Sequence, residues 1–467
     1  MSTLLKFNGF INKIVWGWPM IILLLSTSIF LTFRLKVVQV AKFPYIMRNT
    51  LASIFKKSEG IGQGEVTAFQ AVATALAATV GTGNIAGVAL AIAVGGPGAV
   101  FWLWFSAFFG MATKFSEVVL AVTYREVKSN GSYNGGPMYY IQKGLGLTWL
   151  ATIFAVFGTL ASFGIGNMTQ ANSVAHALRS TFSINPVITG IVLAVLIGIV
   201  ILGGIKRIGA VTEKLVPLMA LLYIISSLII IAIERANIPS AFQMIFESAF
   251  TGRAASGGFL GAGLLLTMRF GIARGIFTNE AGLGSAPIAH AAATTDHPVR
   301  QGIWGVFEVF MDTIVICTMT ALVILVSGLW DSGMEGAALT AAAFETGFTG
   351  GSMIVSIGLS LFAFSTILGW AYYGERCCDY LFGPTGIKVY RIVFVPMVFV
   401  GATGGLKAIW DISDTLNGLM AIPNLIGLIF LSGVVTIMTN DFFKNPNKIR
   451  HSSKEYLDLL PEKYRRY

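Results

Sequence analysis

A chain of 467 residues that is 55% hydrophobic and only 12% charged, with a mean hydropathy of +0.75, lies far outside soluble composition and reads as an all-α polytopic membrane protein. The net charge of +10 is neither gathered into a long basic run nor interleaved with aromatics, which argues against nucleic acid as a partner. Cys317 lies in an apolar span and Cys377-Cys378 at a helix end, without the C-x-x-C spacing of a disulfide framework or a zinc site.

Residues 14–33 form the first apolar run. Lys6 and Lys13 precede it as they would a signal peptide, but it is too long for a typical signal core and no A-x-A site follows, so a retained helix is expected. A polar, partly amphipathic segment with Arg34, Lys36, Lys42, Arg48, Lys56 and Lys57 comes next.

Residues 71–94 are apolar for long enough to cross a bilayer, which takes about 20 residues, yet their centre reads Val80-Gly81-Thr82-Gly83-Asn84. A glycine inside a helix costs about 1 kcal/mol relative to alanine, and unsatisfied backbone in hydrocarbon costs more. A break there needs partners for its freed N–H and C=O groups. A discontinuous helix meets that need if the half after the break offers amides to an anion and the half before it offers carbonyls to a cation. The competing reading is close packing of helices on the glycines. The formal match of Gly81 to Ala86 with a dinucleotide fingerprint fails, because no strand precedes it and Trp102 and Trp104 stand where an acidic ribose ligand belongs.

After a tight turn at Gly95-Gly96-Pro97-Gly98, spans are predicted over 99–124, 147–175, 187–202, 215–233, 259–292, 302–329, 352–373, 387–401 and 416–438, giving eleven transmembrane helices. The span 259–292 again carries polar and helix-breaking residues at its middle, Asn279, Glu280, Gly282, Gly284 and Pro287. Interrupted segments at the head of two five-helix sets point to inverted repeats with a site between the breaks, since an odd number of crossings reverses the second copy. The expected organisation is an extra helix and linker over 1–68, a first repeat over 69–233, an external connection over 234–258, a second repeat over 259–438 and a basic tail over 439–467.

Loop charges fit this plan by the positive-inside rule. One side receives the linker charges with Arg125, Lys128, Lys143, Lys206, Arg207, Lys214, Arg300, Arg376, Lys388, Arg391 and the tail, including Arg466. The other keeps Lys6, Lys13, Arg179, Arg235, Arg253 and Lys407, with the acidic Asp331, Glu335 and Glu345. The N-terminus is therefore expected outside and the C-terminus in the cytoplasm.

The stretches VGTGNIAGVALAIAVGGPGAVFW, NGGPMYYI over 134–141 and GIFTNEAGLGSAPIAHAAA over 275–293 closely resemble the alanine or glycine:cation symporter family, also called sodium:alanine symporters, and the resemblance covers nearly the whole chain. It implies a leucine-transporter-like fold in the plasma membrane, with ten core helices, the first and sixth discontinuous, and one extra helix in front. It also implies sodium-coupled uptake of alanine and glycine. The partners are then the substrate and the lipid bilayer, with no obligate protein partner evident.

Within that fold the amides of Thr82 and Gly83 would bind the substrate carboxylate beside Gly81 and Asn84, with Thr79 lining the same pocket. Ala77 and Val80 would offer carbonyls to sodium. The Phe362 carbonyl and the Ser365 and Thr366 hydroxyls, at i, i+3 and i+4, would complete the oxygen shell; alternatively the hydroxyls bond back to their own helix. Gln170 would meet the substrate ammonium, and Phe277, Thr278, Asn279 and Trp370 would close a pocket sized for a methyl group.

Glu308 and Asp312 at i, i+4 are either a cation or proton path or partners of Arg269 or Arg274. Lys114 and Glu117 read as a local pair, and Glu280 as a brace of the second break. Proton coupling is thus the main alternative. A cation channel would show a pore filter, and none is visible. His176, His290, His297 and His451 form no H-E-x-x-H, and neither a nucleophile–base pair nor a nucleotide motif appears, so no enzyme is expected.

Overall fold

The computed structural model describes residues 2–54, 62–129, 131–251, 260–404, 407–450 and 454–465. Lys56, Lys57, Arg253 and Arg466, counted above among the loop charges, lie outside the described residues, as does residue 259, the expected start of the second repeat.

The chain is a bundle of helices. α1 (Ser2–Val15) and α2 (Trp18–Arg34) are nearly continuous, joined at Gly17 ahead of a proline in the first turn of α2. α3 (Ala68–Thr79) starts at a capping box in which the Thr67 hydroxyl accepts from the Gln70 amide and the Gln70 side chain accepts from the Thr67 amide. After the break come a π-helical turn (Gly83–Gly87) and α4 (Val88–Gly95), bent by 50° from α3.

The order continues with α5 (Ala99–Thr123), α6 (Thr148–Phe163), a π-turn (Gly164–Met168), α7 (Thr169–Phe182), α8 (Pro186–Ile201), α9 (Gly204–Ile233) and α10 (Ile238–Thr251). Then follow α11 (Leu260–Asn279), α12 (Pro298–Val309), a π-turn (Phe310–Cys317), α13 (Thr318–Val326), α14 (Gly336–Gly347), α15 (Gly351–Ala402), α16 (Lys407–Leu419) and α17 (Ala421–Lys444). A two-stranded hairpin pairs β1 (Glu126–Val127) with β2 (Tyr133–Asn134).

Among the described residues seven helices are long and apolar enough to cross a membrane, or eight if the bent pair is one span. The spans expected over 352–373 and 387–401 form one helical run, α15, kinked where Gly383 takes φ 65° and ψ −160° just before Pro384. Helices α10 and α14 occupy stretches expected to be plain connections. Each has a packing reason: Phe246 and Phe250 of α10 stack on Phe101 of α5, and Thr340 of α14 donates to the Ile85 carbonyl in the first broken helix.

The approaches to the two breaks are stitched together by main chain. The Glu65 amide donates to the Ala292 carbonyl (2.8 Å) and the Thr294 amide to the Val66 carbonyl (2.7 Å). Arg125 ties the same seam, donating to the Ala293 and Gln63 carbonyls.

The chain after α17 folds back on this region. The Asp296 carboxylate accepts from the Arg300 guanidinium (2.6 Å) and the Arg450 amide (3.2 Å), and Arg450 also pairs with Asp441 (2.6 Å). His297, in the loop before α12, is fully buried and accepts at Nδ1 from the Val299 amide. Burial and the flanking guanidiniums of Arg450 and Arg300 hold its imidazole neutral, with its pKa pushed down to about 2.

Candidate functional site

The centre of the molecule is the break after α3. Val80 turns extended (φ −75°, ψ 93°), carrying its carbonyl out of the helical ladder. The Gly81 amide donates to Asn84 Oδ1 (2.8 Å), while Asn84 Nδ2 donates to Asp312 Oδ1 (2.6 Å), so one amide side chain anchors the break to the π-turn after α12. The carbonyls of Asn84 and Ile85 also accept from the Thr320 (2.8 Å) and Thr340 (3.1 Å) hydroxyls. The amides of Thr82 and Gly83 meet no protein acceptor among the described residues.

Against this break lies α15. Ser365 Oγ donates to the Phe362 carbonyl (2.8 Å) and reaches across to the Ala77 carbonyl (3.2 Å), and Thr366 Oγ1 donates to the Phe362 carbonyl (2.9 Å). The hydroxyls thus bond back to their own helix, but Ser365 also bridges to α3. Two glycines permit this approach. A Cβ on Gly81 would stand 2.6 Å from Thr366 Oγ1, and one on Gly369 would stand 2.6 Å from the Ala78 Cβ. Ala77, Phe362, Ser365 and Thr366 therefore form one cluster of hard oxygens, with Val80 one turn along from Ala77.

The second break follows α11. Glu280, Gly282 and Gly284 all take positive φ (54°, 93° and 84°). Glu117 Oε1 of α5 accepts from the Gly282 amide (3.1 Å), the Gly284 amide (3.0 Å) and Asn424 Nδ2 (2.6 Å). Glu280 accepts from Ser285 and, at 3.0 Å, from Trp370 Nε1. Two expected pairings are overturned here. Glu117 does not pair locally with Lys114, because it turns to the amides of the second break; Lys114 Nζ lies 3.3 Å from Glu308 instead. Nor do Glu308 and Asp312 meet Arg269 or Arg274: Glu308 also contacts His290 (3.0 Å) and Asp312 holds Asn84, while both arginines face an outer recess.

Between the breaks is a small enclosed pocket. Of the residues expected to face substrate, Thr79, Gly81, Thr82, Gly83, Gln170, Phe277, Thr366 and Trp370 line it. Asn84, Thr278 and Asn279 do not. Asn84 is spent on the break itself, Thr278 donates to the Gly275 carbonyl, and Asn279 bridges Thr313 and the Ala281 amide.

Asn417 of α16 also lines the pocket and was missed, because its place near the expected start of the last span gave no inward signal. Gln170 Oε1 and Asn417 Oδ1 are buried and accept no hydrogen bond. Such oxygens are costly unless a donor arrives. The space between the walls is about 20 Å³, room for roughly one water. Gly166 lets Trp370 close one side, since a Cβ there would stand 2.2 Å from the Trp370 Cβ.

A helix interrupted deep in an apolar bundle, with bare amides on one side of a pocket and converging oxygens on the other, is the architecture of a membrane transporter. The chain belongs to the sodium:alanine symporter family, whose model matches residues 1–456, and is a multi-pass, cation-coupled amino-acid transporter rather than an enzyme. It is 52% identical to the sodium/alanine symporter AgcS of Methanococcus maripaludis, over 94% of this chain and 96% of that one. It is 41% identical to Bacillus subtilis GlnT, named as a probable sodium/glutamine symporter, over 97% and 93% of the two chains. Among solved structures, MhsT in complex with L-phenylalanine aligns with a TM-score of 0.57 at 12% identity, over 81% of this chain and 99% of that one. That likeness establishes the leucine-transporter fold.

Proposed function

We propose that the protein is a sodium-coupled symporter that carries alanine and glycine into the cell by alternating access. The observation that carries this reading is the pairing, in one pocket, of the unused Thr82 and Gly83 amides with the unpartnered Gln170 and Asn417 oxygens. The amides, at the N-terminal end of the helix after the break, suit a carboxylate; the oxygens suit an ammonium. With room for about one water, the pocket admits substrate only as its walls part; the bulk of Phe277 and Trp370 in those walls favours hydrogen or methyl as the side chain, in keeping with the alanine in the name of AgcS.

Sodium would take the carbonyls of Ala77, Val80 and Phe362 and the hydroxyls of Ser365 and Thr366, a neutral set of hard oxygens beside the substrate. Ion binding would draw α3 and α15 together, fixing the amides for the carboxylate, so that each ligand strengthens the other's site. Counting the kinked α15 as two spans, the bent pair as one, and adding α8 and the broken α11 gives eleven crossings. This supports two inverted five-helix repeats behind one extra helix, with the N-terminus outside, the C-terminus in the cytoplasm, and the repeat bounds given above.

The test is uptake of labelled alanine into proteoliposomes under an inward sodium gradient or an inward proton gradient imposed separately. Uptake driven by sodium alone, with at least about tenfold more sodium needed by Thr366→Ala, is expected; a loss of about 1.4 kcal/mol in ion binding corresponds to that factor. Uptake driven by protons alone would overturn the ion assignment.

A further inference from the structure

Away from both breaks, a recess of about 420 Å³ is walled by parts of the chain far apart in sequence. Glu126 and Lys128 come from the hairpin after α5, Thr148 from the start of α6, and Leu381 from α15 just ahead of its kink at Gly383. Tyr139 completes the wall.

The rim is charged. Glu126 lies between two lysines, with Oε1 2.9 Å from Lys128 Nζ and Oε2 3.3 Å from Lys143 Nζ. Two ammonium groups share one carboxylate, so the rim keeps one positive charge in excess. Tyr139 is the unusual member. It is 1% exposed, Lys128 Nζ stands 5.6 Å from its ring centroid, and its hydroxyl meets no hydrogen-bond partner among the described residues. A buried hydroxyl left unpaired is costly unless a ligand or water answers it.

The surroundings narrow the choice of ligand. Trp149, next to Thr148, and Phe382, next to Leu381, are 62% and 69% exposed. Large aromatics beside a polar recess, on the face that the loop charges assign to the cytoplasm, mark the level where lipid headgroups meet acyl chains. A phosphodiester carries the single negative charge that balances the rim. Its acyl chains would run over Trp149 and Phe382, which a free phosphate would leave bare. A zwitterionic headgroup would bring a cation that the excess positive charge repels.

We propose that this recess holds the phosphate of an anionic phospholipid from the cytoplasmic leaflet, with Lys128 against it, Lys143 adding its charge, and the Tyr139 hydroxyl donating to one of its oxygens. A lipid seated there ties the hairpin to α15, the helix that also carries Ser365 and Thr366. The site stands apart from the choice of substrate and coupling ion.

The experiment is native mass spectrometry of the purified full chain in detergent, titrated with phosphatidylglycerol, with phosphatidylcholine and with inorganic phosphate. Wild type is expected to retain one phosphatidylglycerol per chain under conditions that strip phosphatidylcholine, and inorganic phosphate should not displace it. Lys128→Gln combined with Lys143→Gln should weaken that binding at least about tenfold. Glu126→Gln should tighten it, because the rim then carries two positive charges; a misfolded variant would gain no affinity, so this arm separates an anion site from a folding defect. Equal retention of the two lipids by wild type, or unchanged binding in the lysine variant, would overturn the site, as would a failure of Glu126→Gln to bind more tightly. Displacement by inorganic phosphate would make it a site for a soluble anion and overturn the lipid.

Discussion

The two broken helices solve the same problem with opposite means. At the second break the protein supplies its own anion: Glu117 caps the Gly282 and Gly284 amides, and Asn424 locks the carboxylate in place. At the first break no carboxylate touches the amides. Asp312 is kept one step away, behind Asn84, and the Thr82 and Gly83 amides are left bare. One break is finished by the fold; the other, in the proposed reading, is finished by what it carries.

That contrast predicts different failures. Glu117→Ala should cost about 3 kcal/mol or more of stability, because two amides and Asn424 lose a buried anionic partner, and a thermal melt in detergent should show it with or without alanine. If the melt were unchanged, the second break would not depend on its internal anion. Gly81→Ala should destabilise the unliganded protein less than Glu117→Ala does, by about 1–3 kcal/mol as buried Thr366 gives way, yet reduce alanine uptake at least about tenfold, because the new Cβ would overlap Thr366 Oγ1. A large loss of stability with normal uptake would reverse the assignment of the two breaks.

The smallest effect concerns pH. The segment after the second break ends on His297, which the fold holds neutral, with its pKa below the ordinary value of 6.5. The stability this contributes is complete above pH 6.5 and is lost as pH falls below it toward 2, because the unfolded histidine gains the proton and the folded one does not. Hydrogen exchange over residues 290–300 should therefore quicken on going from pH 7.5 to 5.5, after correction for intrinsic rates, by at most about tenfold per pH unit. Residues 99–110 of α5, which carry no titratable group, should not follow.

Both breaks were legible in the sequence, since Gly81-Thr82-Gly83-Asn84 and Asn279 to Gly284 cannot lie in uninterrupted helix at membrane depth without a reason. Gly81, Thr82 and Gly83 of the pocket wall followed from the first of these stretches, while Gln170, Phe277, Thr366 and Trp370 were expected from the family resemblance. What was not legible was which distant group answers each polar residue. Glu117 sits one turn from Lys114, and spacing alone pairs them, but the bundle brings Lys114 to Glu308 and Glu117 to a backbone far along the chain. Asn417 was missed for a similar reason: a single amide at the start of an apolar run has no period to say which way it faces. The helices α10 and α14 escaped because they are held by tertiary contacts to Phe101 and Ile85 rather than by any span-length apolar run.

The seam between residues 63–66 and 292–295 bears on how the protein is made. Its bonds are main chain to main chain, and one partner is synthesised long after the other. During biosynthesis α3 and its break must therefore wait in the bilayer without this seam, and without Asp312, until more than half the chain has been inserted. The first five-helix unit, released alone, would present an unbraced break to lipid and to quality-control proteases. The natural unit of assembly is the whole chain, and a stalled or truncated product ending before Thr295 should be cleared rather than stored.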